Sequence, residues 1–169
     1  ALEGYHALSI DEQRDDFRPL RFNSRIKVTQ TLHELWFAGA HADVGGGYLD
    51  DHGLERVSRT WMIDNFRKHR LFAHDARENA CNAKKAMCAY GELHDEFLAS
   101  PDLYSAFGIH RREPLKGDSL HGSVACRMKA AKLSKAHKDR EPNGRYQPEN
   151  LVLPLAVHYT FTPYTCSEK

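Results

Sequence analysis

Between Gly39 and Tyr48 the chain reads Gly-Ala-His-Ala-Asp-Val-Gly-Gly-Gly-Tyr, which puts an imidazole, a carboxylate and a run of glycines in one short segment. Three chemistries suit it. His41 can act as a general base, because an imidazole with a pKa of about 6.5 takes a proton from a hydroxyl and returns it near neutral pH. Gly45, Gly46 and Gly47 would then let the backbone come close to a substrate. Alternatively, His41 and Asp43 point the same way from an extended segment and could be two metal ligands, although no further His or Asp cluster has an obvious ligand spacing. The glycines could also cradle a phosphate, but the Lys-Ser or Lys-Thr of a P-loop and the G-x-G-x-x-G register are both missing. A fourth reading leaves His41 as the cap of a turn.

Whichever chemistry holds, a scaffold must position this segment. Gly4–Ile10 has strand character and ends abruptly in the charged run Asp11-Glu12-Gln13-Arg14-Asp15-Asp16. After Pro19 a polar connection leads to Leu35-Trp36-Phe37-Ala38, an apolar run too short for a helix and closed by Gly39. Such a run suits a strand buried on both faces, as in a parallel sheet. The glycine segment then lies beyond that strand's carboxyl end, where open α/β sheets keep their ligands and catalytic groups. Leu54, Val57, Trp61, Met62 and Phe66 recur at helical spacing and predict a core-packed amphipathic helix. Asp75 and Glu78 open a second helix reaching about Leu98, stopped by Ser100-Pro101-Asp102. A short basic helix follows His121-Gly122-Ser123-Val124, with Lys129–Arg140 as its solvated face. Pro142-Asn143-Gly144 turns the chain into extended segments at Leu151–Leu155 and Ala156–Phe161. The pattern predicts an α/β domain with a partial sheet and flanking helices.

With 169 residues, 41% of them hydrophobic, the chain can bury one core and reads as a single domain. Lys and Arg total 24 against 23 Asp and Glu, so no bulk charge draws it to nucleic acid. No signal peptide is visible after Ala1, whose position reads as a cut. No run approaches the roughly 18 apolar residues of a membrane span, so a soluble domain is expected. Cys81, Cys88, Cys126 and Cys166 match neither a zinc spacing nor a dense disulfide framework and read as reduced thiols.

His6-Ala7-Leu8-Ser9-Ile10-Asp11-Glu12-Gln13-Arg14 with Phe17, followed by Leu35 through Tyr48, resembles the uncharacterised α/β-hydrolase domain family that includes the type VI secretion phospholipase effectors. Leu120-His121-Gly122-Ser123-Val124 with Arg127, and Tyr146-Gln147-Pro148-Glu149-Asn150-Leu151, resemble its closing segment. The resemblance implies the carboxyl-terminal portion of a Ser-His-Asp hydrolase domain acting on lipid or other esters. It implies no cofactor, contact with a membrane surface, and a secretion-machinery or immunity partner. His41 would be the triad histidine, His121 its rival, with Asp43 orienting His41 or fixing the loop and His6 and Asp11 structural. The chain has no G-x-S-x-G, so serine and aspartate would lie upstream and the chain alone would be inactive. A non-catalytic remnant or interaction module of the same fold is the alternative. If the upstream strands are missing, the strand at Leu35–Ala38 should lack neighbours and expose an apolar edge.

Overall fold

The computed structural model describes residues 2–22, 29–71, 88–104, 106, 108–133, 135–148, 150–151 and 155–166. Four strands, β1 (Leu2–Ser9), β2 (Gln30–Phe37), β3 (Ser119–Leu120) and β4 (Thr160–Phe161), stand side by side in chain order. Every pairing is parallel. Parallel neighbours need long crossovers. The helices α1 (His41–Gly45), α2 (Gly53–Lys68), α3 (Glu96–Ala99), α4 (Pro101–Tyr104), α5 (Gly122–Lys129) and α6 (Leu155–His158) lie between or beside them. The expected α/β class is the observed one.

β2 anchors the sheet. Leu8 pairs with Trp36 and Trp36 with Leu120, so one row of large side chains crosses three strands on the same face. With Ile10, Ala38, Val124, Tyr146 and Tyr159 they form the larger core. The strand pleat turns Leu35 and Phe37 to the opposite face, where Val44, Val57 and Cys88 cover them. The expected exposed edge at Leu35–Ala38 is therefore corrected: β1 and β3 flank the strand, and all four residues are buried. β2 also begins earlier than its apolar run. Gln30–Glu34 is half-exposed and carries too little hydrophobicity to be seen as strand, but β1 supplies its hydrogen-bonding partner.

Other boundaries differ for tertiary reasons. α2 follows its apolar spacing closely, burying Leu54 and Val57. Most of the helix expected from Asp75 lies outside the described residues. The expected run is not continuous to its end near Leu98, because Gly91–Asp95 forms a loop and α3, which holds Leu98, starts only at Glu96, with Asp95 Oδ1 accepting from Leu98 N at 3.0 Å. The expected stop at Ser100 is observed, since α3 ends at Ala99 with Ser100 as its cap, and Pro101 then opens α4. α5 ends at Lys129, and the segment after it is no solvated helix face: Leu133 is buried, and Arg140 pairs with Asp95 at 2.7 Å. Leu155–His158 is helical where extended chain was expected. The cysteine reading is corrected as well. Cys126 on α5 is disulfide-bonded to Cys166 beyond β4, their Cα atoms 5.6 Å apart, and Cys88 is also disulfide-bonded. These pairings are made by the fold and have no spacing signature.

Candidate active site

β1 and β2 run parallel and end together, so Ile10–Glu12 and Ala38–His41 lie side by side at the carboxyl edge of the sheet. Asp11 joins the two ends. Its buried Oδ2 accepts from Gly39 N at 2.7 Å and from Tyr146 Oη at 2.8 Å. Burial pushes this carboxyl upward, against the two hydrogen bonds and the charges of Arg140 and Arg127. Gly39 has φ +111°, and a side chain there would collide with Asp43 Cβ, so the turn out of β2 requires glycine.

The glycine-rich segment is not all loop, because His41–Gly45 coils into α1 with His41 as its first residue. Two acidic side chains satisfy the helix's free N–H groups. Asp43 Oδ2 accepts from Ala40 N at 2.9 Å, and Glu12 Oε2 accepts from His41 N at 3.1 Å. Glu12 is itself gripped by Arg14, whose Nε donates to Oε1 at 2.9 Å and Nη2 to Oε2 at 2.7 Å. Burial opposes ionisation of Glu12, but the Arg14 contacts and the His41 N–H outweigh it and hold its pKa at about 2. The helix closes at Gly46, φ +90°, a left-handed exit that Gly45-Gly46-Gly47 makes possible.

The His41 ring is exposed and meets the edge of Phe17 at a centroid distance of 5.0 Å. Arg14 lies over the same phenyl ring at 3.9 Å. Partial burial, then the positive charge of Arg112, lowers the His41 pKa, with Glu12 pulling the other way. This lowering favours the neutral imidazole, the form a general base needs. Among the described residues no carboxylate is bonded to the ring.

Asp43 faces elsewhere. Only 2% exposed, it takes His94 Nδ1–H on Oδ1 at 2.7 Å and His94 N–H on Oδ2 at 3.0 Å. Tyr48 stacks on the His94 ring with centroids 3.7 Å apart, and His94 Nε2 stands 3.3 Å from Asp50 Oδ1. The hydrogen bond that His94 donates to Asp43 chiefly raises the His94 pKa; burial opposes it and Asp50 adds to it. His94 had no sequence signal, since its partner lies 51 positions away.

His121 caps α5. Its Nδ1 accepts from Ser123 Oγ at 2.8 Å and from Ser123 N at 3.3 Å, while the ring stacks on Phe37 at 4.8 Å. Burial lowers its pKa to about 4. His6 lies partway along β1, with Nδ1 3.2 Å from Glu34 Oε1. The fold thus gathers Asp11, Asp43 and the glycines about His41, and leaves His6 and His121 in separate settings. Among the described residues, no group of three or more His, Cys, Asp or Glu side chains could hold a metal ion. No described helix is long and apolar enough to cross a membrane.

No curated protein and no solved structure matches the chain. One family model does match: that of the type VI secretion system (T6SS) phospholipase effector Tle1-like catalytic domain, over residues 2–65. The match takes in β1, β2, α1 and most of α2, hence Asp11, Glu12, His41 and Asp43, and it ends before His94 and His121. It lies in the amino-terminal part of the chain and leaves the resemblance read at Leu120–Val124 and Tyr146–Leu151 without a counterpart. Over residues 2–65 the chain is similar to the catalytic domain of Tle1-like T6SS phospholipase effectors.

Proposed function

We propose that this chain is the carboxyl-terminal portion of a lipase or phospholipase catalytic domain, one unit from end to end, in which His41 is the general base of a Ser-His-Asp triad. The observation that carries the reading is the similarity to a phospholipase catalytic domain over residues 2–65, the stretch that sets His41 at the carboxyl end of a buried parallel strand. Serine and aspartate come from polypeptide upstream of Ala1, since the sequence holds no G-x-S-x-G. Neutral His41 takes the serine proton as the hydroxyl attacks the acyl carbon, then gives it to the departing alcohol. Water, deprotonated by the same ring, releases the acyl group. Lipid at a membrane surface of a target cell is the substrate, and the T6SS supplies the route there.

Two other histidines compete for the role. His94 has the carboxylate partner that triad histidines have, but its Nε2 is directed at Asp50, where a nucleophile would have to stand. It serves as a clamp on the Asp43 loop. His121 spends Nδ1 on Ser123 and is buried against Phe37.

The test is hydrolysis of a short-chain acyl ester and of phosphatidylcholine vesicles by the natural protein that contains this chain, alongside its His41→Ala, His94→Gln and His121→Ala variants. Loss of at least about a thousandfold in kcat in folded His41→Ala, with the other two retaining turnover, supports the assignment. A protein inactive on every ester would leave a non-catalytic interaction module of this fold in its place.

A further inference from the structure

Arg112 is the most deeply buried cation beside the proposed active centre, with only 5% of its surface exposed. Its Nη1 donates to Ser9 Oγ at 2.6 Å and to Ser9 O at 3.3 Å, and its Nη2 donates to Phe17 O. All of these acceptors are neutral. Nε is buried and, among the described residues, has no acceptor. No described carboxylate lies within ion-pair distance of the guanidinium. Glu12, the acid whose field it feels, has both oxygens committed to Arg14 and to the backbone N–H groups of Gln13, Arg14 and His41. Burying a cation without a counter-charge is costly, and a buried group left unmatched calls for a partner that completes it.

The space for that ligand is present. Arg112 lines a pocket of about 230 Å³ at the carboxyl end of β1, together with Ile10, Glu12, Arg140 and Asn150. The pocket's other buried charges are already matched. Asp11 is held by Gly39 and Tyr146, and Arg140 pairs with Asp95. Asn150 spends its amide on Ile10 O and Arg112 O, which fixes the pocket's far side. Among the described residues, the uncompensated charge is therefore that of Arg112. The edge of a guanidinium formed by Nε–H and Nη2–H is the fork that takes two oxygens of one oxyanion. A phosphate group offers two oxygens to this fork and keeps others for the pocket's outer wall.

We propose that this pocket is a phosphate-binding subsite in which Arg112 receives a phosphate group, of a phosphodiester or of free phosphate, on its Nε/Nη2 edge. The site is distinct from the ester-cleaving step and does not depend on it, although its charge is felt at His41. Burial is the first cause of the lowered His41 pKa and the Arg112 charge the second; an anion seated on Arg112 offsets that second contribution, so binding and protonation of His41 are coupled.

The experiment is a titration of the full chain with inorganic phosphate, glycerophosphocholine and, as a control, acetate, followed by calorimetry and by the NMR titration of the His41 ring. Saturable phosphate or diester binding that raises the His41 pKa is expected. It should weaken at least tenfold in Arg112→Lys, which keeps the charge but loses the fork, and in Arg112→Gln. Matched amide spectra establish that each variant is folded, and Arg112→Lys carries the test should Arg112→Gln unfold. Binding of the diester assigns the site to a lipid headgroup, and binding of inorganic phosphate alone assigns it to free phosphate. Either result stands whether or not the protein cleaves esters. Equal binding of acetate, unchanged affinity in folded Arg112→Lys, or no saturation by either phosphate compound overturns the proposal.

Discussion

His94 spans two carboxylates, its Nδ1 2.7 Å from Asp43 Oδ1 and its Nε2 3.3 Å from Asp50 Oδ1. One ring thus ties the loop before α3 to both ends of the segment from Ala40 to Asp50. A protonated ring suits this position best, which is why its pKa is raised. A raised pKa contributes stability that is fully present below the unfolded value of about 6.5 and is lost as pH rises through the folded value. Urea denaturation at pH 6 and pH 8.5 should show wild type losing more stability at the higher pH than His94→Gln does. Equal losses would remove the clamp.

Asp43 has no substitute in this arrangement. Asp43→Asn keeps the size but brings an NH₂ group against Ala40 N–H and His94, leaving buried donors unmatched. We expect a loss of about 2–4 kcal/mol, with α1 fraying. The check is chemical denaturation together with amide exchange at Ala40 and Val44.

His121 predicts the opposite pH response. Its folded pKa of about 4 is depressed by burial, so between pH 6.5 and 4 the unfolded chain binds a proton that the native chain refuses. Stability therefore falls as pH drops through that window, by on the order of 3 kcal/mol. His121→Gln should flatten this acid limb. An unchanged limb in the variant would assign the acid sensitivity to other groups.

The fully buried Arg127–Glu141 pair, Nη2 to Oε1 2.6 Å, also carries Ala89 O at 2.9 Å and Gly91 O at 2.7 Å on Arg127 Nη1. Arg127→Met strands a buried carboxylate and two carbonyls. It should cost about 3–5 kcal/mol, whereas Arg127→Met combined with Glu141→Leu should recover much of that. A thermal or urea double-mutant cycle measures the difference.

The Cys126–Cys166 bond closes a 40-residue separation, for which loop-closure entropy gives about 4 kcal/mol of stabilisation. The double serine variant should lose about 2–4 kcal/mol in urea denaturation. A stability unaffected by serine would mean that the bond constrains little.

The parts legible in the sequence are those whose physics is local. Leu35–Ala38 announced a buried strand because both its faces are apolar, and Leu54 through Phe66 announced α2 by spacing. Gly39 and the three glycines after Val44 announced a backbone that must turn sharply. What was not legible depends on distant partners. Gln30–Glu34 is strand because β1 lies beside it; Arg140 leaves solvent because Asp95 waits for it; His94 looked like any polar histidine until Asp43 was placed. Glu12 and Arg112 were hidden in the same way, since a charged residue near a strand end ordinarily signals only the surface.

The contacts that hold the His41 segment also set a timetable for its assembly. Asp43 meets its histidine 51 residues later, Ser9 its arginine 103 later, and Asp11 its tyrosine 135 later. Pairings this distant are closed late, because their loops must be ordered before the contacts reward them. During synthesis, β1, β2 and the glycine turn leave the ribosome well before any of these braces exist. The strand end that is to carry His41 therefore waits, incompletely tied, until Tyr146 has emerged, and the base can be set in its final geometry only after more than a hundred further residues have been made.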